Sequence, residues 1–269
     1  MMSDSVQIYL QQFEPIESLS REVLLREMDA AWDQLGLDNR TPLQAQGDRV
    51  GLFYGHPVWV LNGLFSAADP ESLAHRTAIA SFVAGLRPAR VADYGGGSGV
   101  LARLVAEAAA SAAVDIVEPF PSGYFLSRMG QVLRVRFVAA FEQRYDVVIA
   151  QDVLEHVDDP VGVALNLVDA VRDGGTLIFA NSFWPEIKCH LPATFFLRHQ
   201  FGNVMRAAGL SSRGRIAGVN HSEVYLKCRP ADRPAALRVA RRARLLGPSL
   251  NAARLMLLKL KRALVSPPP

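Results

Sequence analysis

Four glycines within five positions constrain this chain more than any other feature. Gly95, Gly96, Gly97 and Gly99 interrupt the segment Val91-Ala92-Asp93-Tyr94-Gly95-Gly96-Gly97-Ser98-Gly99-Val100-Leu101-Ala102. Glycine loses more conformational freedom on folding than any other residue, so such a run marks a turn that needs positive φ or close backbone approach to a ligand. The apolar letters before the turn read as a buried strand, those after it as a helix. That helix aims its free amides at whatever lies over the turn. Asp93, two positions before the first glycine, is placed to accept hydrogen bonds from a cationic amine or a ribose. Strands that alternate with helices build a parallel sheet covered on both faces. Ligands bind such sheets at the carboxyl ends of the strands.

The glycine turn alone admits two ligands. Gly97 to Ala102 fits the dinucleotide fingerprint G-x-G-x-x-A, with Glu118 at the distance of a ribose-binding acid; that would make an NAD(P)-dependent oxidoreductase. Two further segments favour the other ligand. Ala112-Ala113-Val114-Asp115-Ile116-Val117-Glu118-Pro119 reads as a second parallel strand ending in an acid. Tyr145-Asp146-Val147-Val148-Ile149-Ala150-Gln151-Asp152-Val153-Leu154-Glu155-His156-Val157 precedes Asp158-Asp159-Pro160. Together these resemble the class I S-adenosylmethionine-dependent methyltransferases of small molecules. Their first motif is acid-x-Gly-x-Gly-x-Gly, matched by Asp93, Gly95, Gly97 and Gly99, and their fourth strand commonly exits as FDvv-x-x-DVLEHv-x-DP.

The resemblance covers roughly residues 69–230. It implies S-adenosylmethionine as cofactor, with Asp93, Gly95, Gly96, Gly97, Gly99, Glu118, Gln151 and Asp152 as its binding residues. Glu118 takes the place that holds the ribose hydroxyls, whereas Asp115 lies within its strand and is not given that role. After the third strand the letters are Phe137-Val138-Ala139-Ala140-Phe141-Glu142. Glu142 and a backbone amide near Ala140 and Phe141 are both candidates to meet the adenine.

The expected fold is α/β: a doubly wound, mostly parallel seven-stranded sheet with helices on both faces. Helices are expected over 18–35 with Ser20 as cap, over 71–86 after an Asp69-Pro70 start, over 100–110, over 161–171, and over 194–208 closed by Gly209. Strands are expected at 90–94, at the acid-ended segment 112–118, and at 134–139, 145–151, 176–180 and 222–228. Three parts follow. Residues 1–68 form a helical and aromatic extension on the acceptor side, 69–230 the cofactor-binding domain, and 231–269 a basic amphipathic tail. The stretch from Tyr54 to Phe65 reads as aromatic and turn-rich; Trp59 and Phe65 either cover the acceptor pocket or anchor the extension.

Charge divides the chain sharply. Nine of its 29 basic residues and none of its 26 acids fall in 233–269, which leaves the upstream part at net −6. The tail reads as two basic helices broken at Gly247-Pro248, with Pro267-Pro268-Pro269 disordered. It suits an anionic membrane surface, a partner protein, or the chain's own acidic body; nucleic acid is a poor fit because no aromatic and basic module is appended. The first twenty residues carry Asp4, Glu14 and Glu17 and no long apolar run, and nothing reaches eighteen consecutive apolar residues. The expected address is the cytoplasm, peripheral to the inner membrane face if the tail binds lipid. Cys189 and Cys228 show no metal-like or redox spacing, and no metal site is expected.

Methyl transfer needs alignment and exclusion of water, and a hydroxyl acceptor also needs a base. Histidine suits that task. His190 and His221, in loops after strand five and before the last strand, are the catalytic candidates. His156 is expected to orient or pack, and His75 and His199 to serve structure. The place after strand four reads Gln151-Asp152-Val153-Leu154 rather than Asn/Asp-Pro-Pro-aromatic, and no Pro-Cys is present. The resemblance then leaves a small-molecule or saccharide acceptor, with O-methylation ahead of N- or C-methylation. A non-catalytic, cofactor-binding partner subunit is the reading outside enzymes.

Overall fold

The computed structural model describes residues 4–265, with most side chains beyond Gly247 outside that description. The terminal prolines 267–269 lie outside it. The N-terminal part is helical: α1 (Asp4–Gln11), α2 (Arg21–Gln34), α3 (Arg49–Tyr54), α4 (Pro57–Ala68) and α5 (Pro70–Gly85). Then follow β1 (Arg90–Tyr94), α6 (Val100–Ala108), β2 (Ala113–Val117), α7 (Gly123–Met129), β3 (Val135–Val138), β4 (Tyr145–Gln151), α8 (Pro160–Ala170) and β5 (Val171–Ala180). The chain ends through α9 (Phe201–Ala207), β6 (Leu210–Gly214), β7 (Ser222–Lys227) and α10 (Arg233–Val265).

The seven strands form one sheet in the order β3-β2-β1-β4-β5-β7-β6. The first five are parallel; β7 runs antiparallel to both β5 and β6. The chain leaves β1 toward one edge and returns to β4 on β1's other side, in register Asp93↔Ile149. This reversal opens a crevice at the carboxyl ends of β1 and β4, where such sheets hold ligands. One face packs on α8, α9 and α10 through Val148, Leu165, Leu177, Phe179 and Met205. The other packs on α5 and α6 through Ile79, Val91, Leu101, Val105, Val114 and Ile149. A third cluster, with Leu24, Trp32, Phe53 and Leu61 at its centre, joins the N-terminal helices to Phe125, Cys189 and Leu191.

Local signals set many boundaries. Ser20 caps α2 by accepting from Val23 N at 3.3 Å, and Asp69 caps α5 from Ser72 N at 2.8 Å. Gly209, at φ 93°, closes α9. Asp115 stays inside β2, tied to Arg136 and Tyr145.

Four expectations differ. The stretch 54–65 is helical rather than turn-rich: His56 Nδ1 accepts from Val58 N at 3.1 Å and Pro57 opens α4. Burial of Val58, Val60, Leu61 and Phe65 overrides the weak helix propensity of β-branched and aromatic residues. The helix expected over 194–208 divides into a 3-10 segment, Pro192–Leu197, and α9. Arg198 anchors the break, bonding Phe183 O at 3.0 Å and lying over the Trp184 ring. The edge strand β6 follows α9, in a segment whose polar letters gave no strand pattern. Finally, the tail is one 33-residue helix. It continues through Gly247-Pro248 because it is held on both sides of that pair. Gly247 rides directly on Phe196, where a Cβ would come within 3.2 Å, and Asn251 Nδ2 donates to Phe195 O at 3.2 Å.

The first half of α10 therefore docks on the body. Ala236, Ala240 and Ala243 are buried, Arg233 pairs with Asp169, and Arg244 lies over the Phe196 ring. Among the described residues no helix is long and apolar enough to cross a membrane.

Candidate functional site

The turn after β1 is shaped by positive φ at Gly95, Gly97 and Gly99, at 68°, 50° and 75°. A Cβ at Gly95 would strike Val153 Cγ2 at 2.6 Å, and one at Gly96 would strike Asp93 Oδ2 at 2.6 Å. The loop therefore has to stay bare, because Val153 and Asp93 fill the space that side chains at Gly95 and Gly96 would need. Gly99 N donates to Gly96 O at 2.8 Å as α6 begins.

Asp93 lies beneath this loop, 2% exposed. Burial pushes its carboxyl up to about 7, against the pull of the Arg76 guanidinium. Glu118, just past β2, reaches back to the turn: Oε2 accepts from Gly97 N at 2.9 Å and Oε1 from Phe120 N at 3.0 Å. Gln151 ends β4 and donates to Asp152 Oδ2 at 3.2 Å. Asp152 takes a left-handed φ of 53°, and its N–H bonds Ala180 O at 2.7 Å. Alternation along the strands puts Asp93 and Gln151 on the α5/α6 side of the sheet.

Arg76 carries no motif, yet it belongs to this group. Its charge interacts with Asp93, Asp152 and Asp69, and burial lowers its pKa. Its position was readable: Arg76 precedes the buried Ile79, Ala80 and Val83 of α5 by three, four and seven residues, on the helix's inner face. At the third strand, Glu142 pairs with Arg136, and Phe141 stacks on Tyr94 at 5.7 Å.

The N-terminal extension closes over these elements. Gly63 of α4 crosses so near the glycine turn that a Cβ there would lie 2.4 Å from Phe125 Cζ and 2.6 Å from Ser98 Cβ. A chain of ring contacts leads from Phe120 to His190. Phe120 stacks on Tyr54, Tyr54 meets Trp59, Trp59 faces His156 edge-on, and His156 meets His190 at 4.8 Å. Trp59 thus reaches the site, whereas Phe65 is a core anchor.

His156 and His190 are brought together from separate loops. Each donates through Nδ1, His156 to Cys189 O at 3.1 Å and His190 to Trp184 O at 2.7 Å. Burial, reinforced by the neighbouring His190, depresses His156 to about 3, so it is neutral at physiological pH. Beside them Glu155 is fully buried, its Oε1 accepting from Ser182 N at 2.6 Å. Burial and the nearby Asp152 raise its carboxyl to about 8. His221 does not join this pair but lies at the same end of the sheet: Ser222 pairs with Ala180 at the carboxyl end of β5, and the His221 ring meets His75, the residue before Arg76, at 5.4 Å.

Among the described residues, five buried side-chain atoms have no hydrogen-bond partner: Asp93 Oδ2, Gln151 Oε1, Glu155 Oε2, Asn181 Oδ1 and Trp59 Nε1. A buried polar atom left unpaired costs about 1–3 kcal/mol. Four of the five belong to residues at, or just beyond, the ends of β1, β4 and β5, and the fifth to Trp59, whose ring meets His156 edge-on. Such a concentration marks a place built for ligands. Bare glycine backbone, acids at two strand ends, a buried arginine and unpaired acceptors fit a nucleoside that carries an amino-acid chain.

The comparisons agree. Residues 69–218 match the family model described as methyltransferase domain. A ubiquinone biosynthesis O-methyltransferase of Aromatoleum aromaticum is 28% identical, with 52% of this chain and 68% of that protein covered. An O-methyltransferase family protein from Burkholderia thailandensis superposes with TM-score 0.53 at 18% identity, covering 77% of this chain and 70% of that one. The CurJ carbon methyltransferase superposes with TM-score 0.56 at 13% identity, covering 84% and 71%. The two structures share the fold and differ in the atom their names say is methylated, so the fold leaves the acceptor open. With more than half its length matched, the chain belongs to the methyltransferase-domain family and is a class I S-adenosylmethionine-dependent methyltransferase.

Proposed function

We propose that this enzyme methylates a hydroxyl oxygen of a small molecule, a ring-bearing phenol or sugar being the acceptor class. The observation that carries this reading is the Glu155, His156 and His190 cluster, which Trp59 meets edge-on through His156. An oxygen nucleophile has to shed a proton as it reacts, and the Nε2 lone pair of His190 would be available to receive it. The aromatic residues Phe120, Tyr54 and Trp59 beside the cluster would suit a flat or ring-shaped acceptor. The relative from Aromatoleum aromaticum is itself named as an O-methyltransferase.

The chemistry supplied by S-adenosylmethionine is a methyl group activated by a sulfonium. Glu118 would hold the ribose hydroxyls, exchanging its bonds to Gly97 and Phe120. The bare amides of Gly95, Gly96, Gly97 and Gly99 would follow the amino-acid chain, with Asp93 beneath supplying negative charge toward its ammonium. Arg76 would balance its carboxylate, and Gln151 and Asp152 would bound the pocket at β4. The acceptor oxygen would take that methyl group in line, the departing sulfur keeping the bonding pair, and would give up its hydroxyl proton to a base or to water. Residues 4–68 would exclude water from the acceptor side, 69–230 would hold the cofactor, and the tail would clasp the sheet's outer helices.

Incubation with methyl-labelled cofactor and panels of phenols, sugars and amines tests this. Label in base-stable ethers supports the reading; label confined to amine or carbon products refutes it.

A further inference from the structure

We infer that Glu155, His156 and His190 form a binding site for a divalent transition-metal ion of the zinc, cobalt or manganese kind, positioned to hold the acceptor's oxygen. This deepens the reading above and rests on it. Each of the three residues offers one ligand atom, and those atoms all lie within 4.8 Å of one another. They come from two places in the chain, the exit of β4 and the loop after β5, so the fold itself assembles the set. The spacing within either segment gave no sign of it.

The hydrogen bonds around the cluster leave the right atoms available. The carbonyls of Cys189 and Trp184 only accept, so the Nδ1 atoms of His156 and His190 both carry protons. Each ring therefore keeps its Nε2 lone pair. An imidazole whose far nitrogen donates to a carbonyl is the usual outer arrangement of a metal-binding histidine, because that bond fixes tautomer and ring orientation. Glu155 follows the same pattern. Oε1 is held by Ser182 N at 2.6 Å, and Oε2 is buried without a partner. A cation bound between the three residues would satisfy this oxygen, displacing the proton that burial otherwise favours there. Trp59 Nε1 is also buried without a partner, on the ring that meets His156 edge-on at 6.3 Å.

The donor set selects the ion. Two imidazoles and one carboxylate suit borderline transition metals rather than magnesium or calcium, which favour all-oxygen shells. Three protein ligands leave a position for a water or a substrate oxygen. An acceptor hydroxyl bound there would lose its proton more readily, the proton passing to water while its oxygen takes the methyl group. The largest separation exceeds the roughly 3.4 Å edge of a tetrahedron with 2.1 Å bonds, so the ion would draw the three groups together. Binding should therefore stiffen the loops after β4 and β5 and raise Tm.

The test uses the full chain, stripped with chelator and titrated separately with Zn2+ and Co2+ alone. One equivalent of each should bind, Zn2+ should raise Tm, and Co2+ should show a visible d–d band without a thiolate charge-transfer band. Glu155→Gln and His190→Gln should each weaken uptake at least about tenfold, the scale on which even outer-shell changes act. Binding of S-adenosylhomocysteine, measured on the same preparations, shows that the variants are folded and tests the cofactor site separately. The inference is overturned if neither ion binds saturably to protein that binds S-adenosylhomocysteine. Uptake in both variants that equals the parent's overturns it too, as does a cobalt–thiolate band, which would place the ion on Cys189 or Cys228.

Discussion

Cofactor binding should release a proton at mildly acidic pH, and Asp93 is the reason. Its carboxyl is buried beneath the glycine turn and titrates near 7 instead of 3.8. In the unliganded protein it is mostly protonated below pH 7, so the native state binds a proton that the unfolded chain gives up above about pH 4. A raised carboxyl pKa contributes stability in full below the unfolded value and loses it as pH rises through the folded one. Ionising the buried group costs about 4 kcal/mol, from a shift near three units at about 1.36 kcal/mol each. A cofactor ammonium above the turn favours the ionised form. Its arrival below pH 7 must then expel the proton, and affinity drops by about a factor of ten per pH unit.

The assay is calorimetric titration with S-adenosylhomocysteine from pH 5.5 to 8.5 in buffers of different ionisation heat. The expected result is release of nearly one proton at pH 6, almost none at pH 8.5, and a Kd about tenfold weaker at pH 6 than at pH 8. Asp93→Asn should bind weakly at every pH and lose most of the slope. Without cofactor, it should also gain stability relative to the parent between pH 6 and 8. A Kd independent of pH, or the same slope in Asp93→Asn, would refute both the buried-carboxyl argument and its link to the cofactor's charge.

Other expectations follow from single contacts. Glu118→Ala removes a charged acceptor worth about 1.5–3 kcal/mol, so S-adenosylhomocysteine should bind about ten- to a hundredfold more weakly while Tm changes little. Gly63→Ala forces a methyl against Phe125 and Ser98; a cost of about 1–3 kcal/mol should appear as a lower Tm, together with weaker cofactor binding, since the glycine turn has to shift. Truncation after Pro230 uncovers the surface that receives Ala236, Ala240 and Ala243. On the order of 100 Å2 of apolar area corresponds to roughly 2.5 kcal/mol and a Tm about 5–10 °C lower. If the truncated chain melts like the parent and only the parent sediments with anionic vesicles, the clasp gives way to a membrane-surface role.

Much of this molecule is written in short-range pattern. The glycine run, the apolar strands on either side of it and the acids at their ends depend on φ preferences and alternation over a few residues. Strand bounds such as Arg90–Tyr94 and caps such as Ser20 and Asp69 are therefore visible before any folding. Resemblance adds the cofactor by the same route, since a loop that cradles a nucleoside needs its glycines at set intervals. The acceptor side is different. His190 gains its meaning from His156, and Trp59 from both, through contacts between segments far apart in the chain. His221 shares their residue type but meets His75 instead. The tail's composition suited a membrane as well as a protein surface; contacts with Phe195, Phe196 and Asp169 decided for the body in its first half. Local geometry is encoded by neighbours in sequence. Burial, which raises Asp93, neutralises His156 and leaves Glu155 Oε2 unpaired, exists only once distant segments have excluded water together.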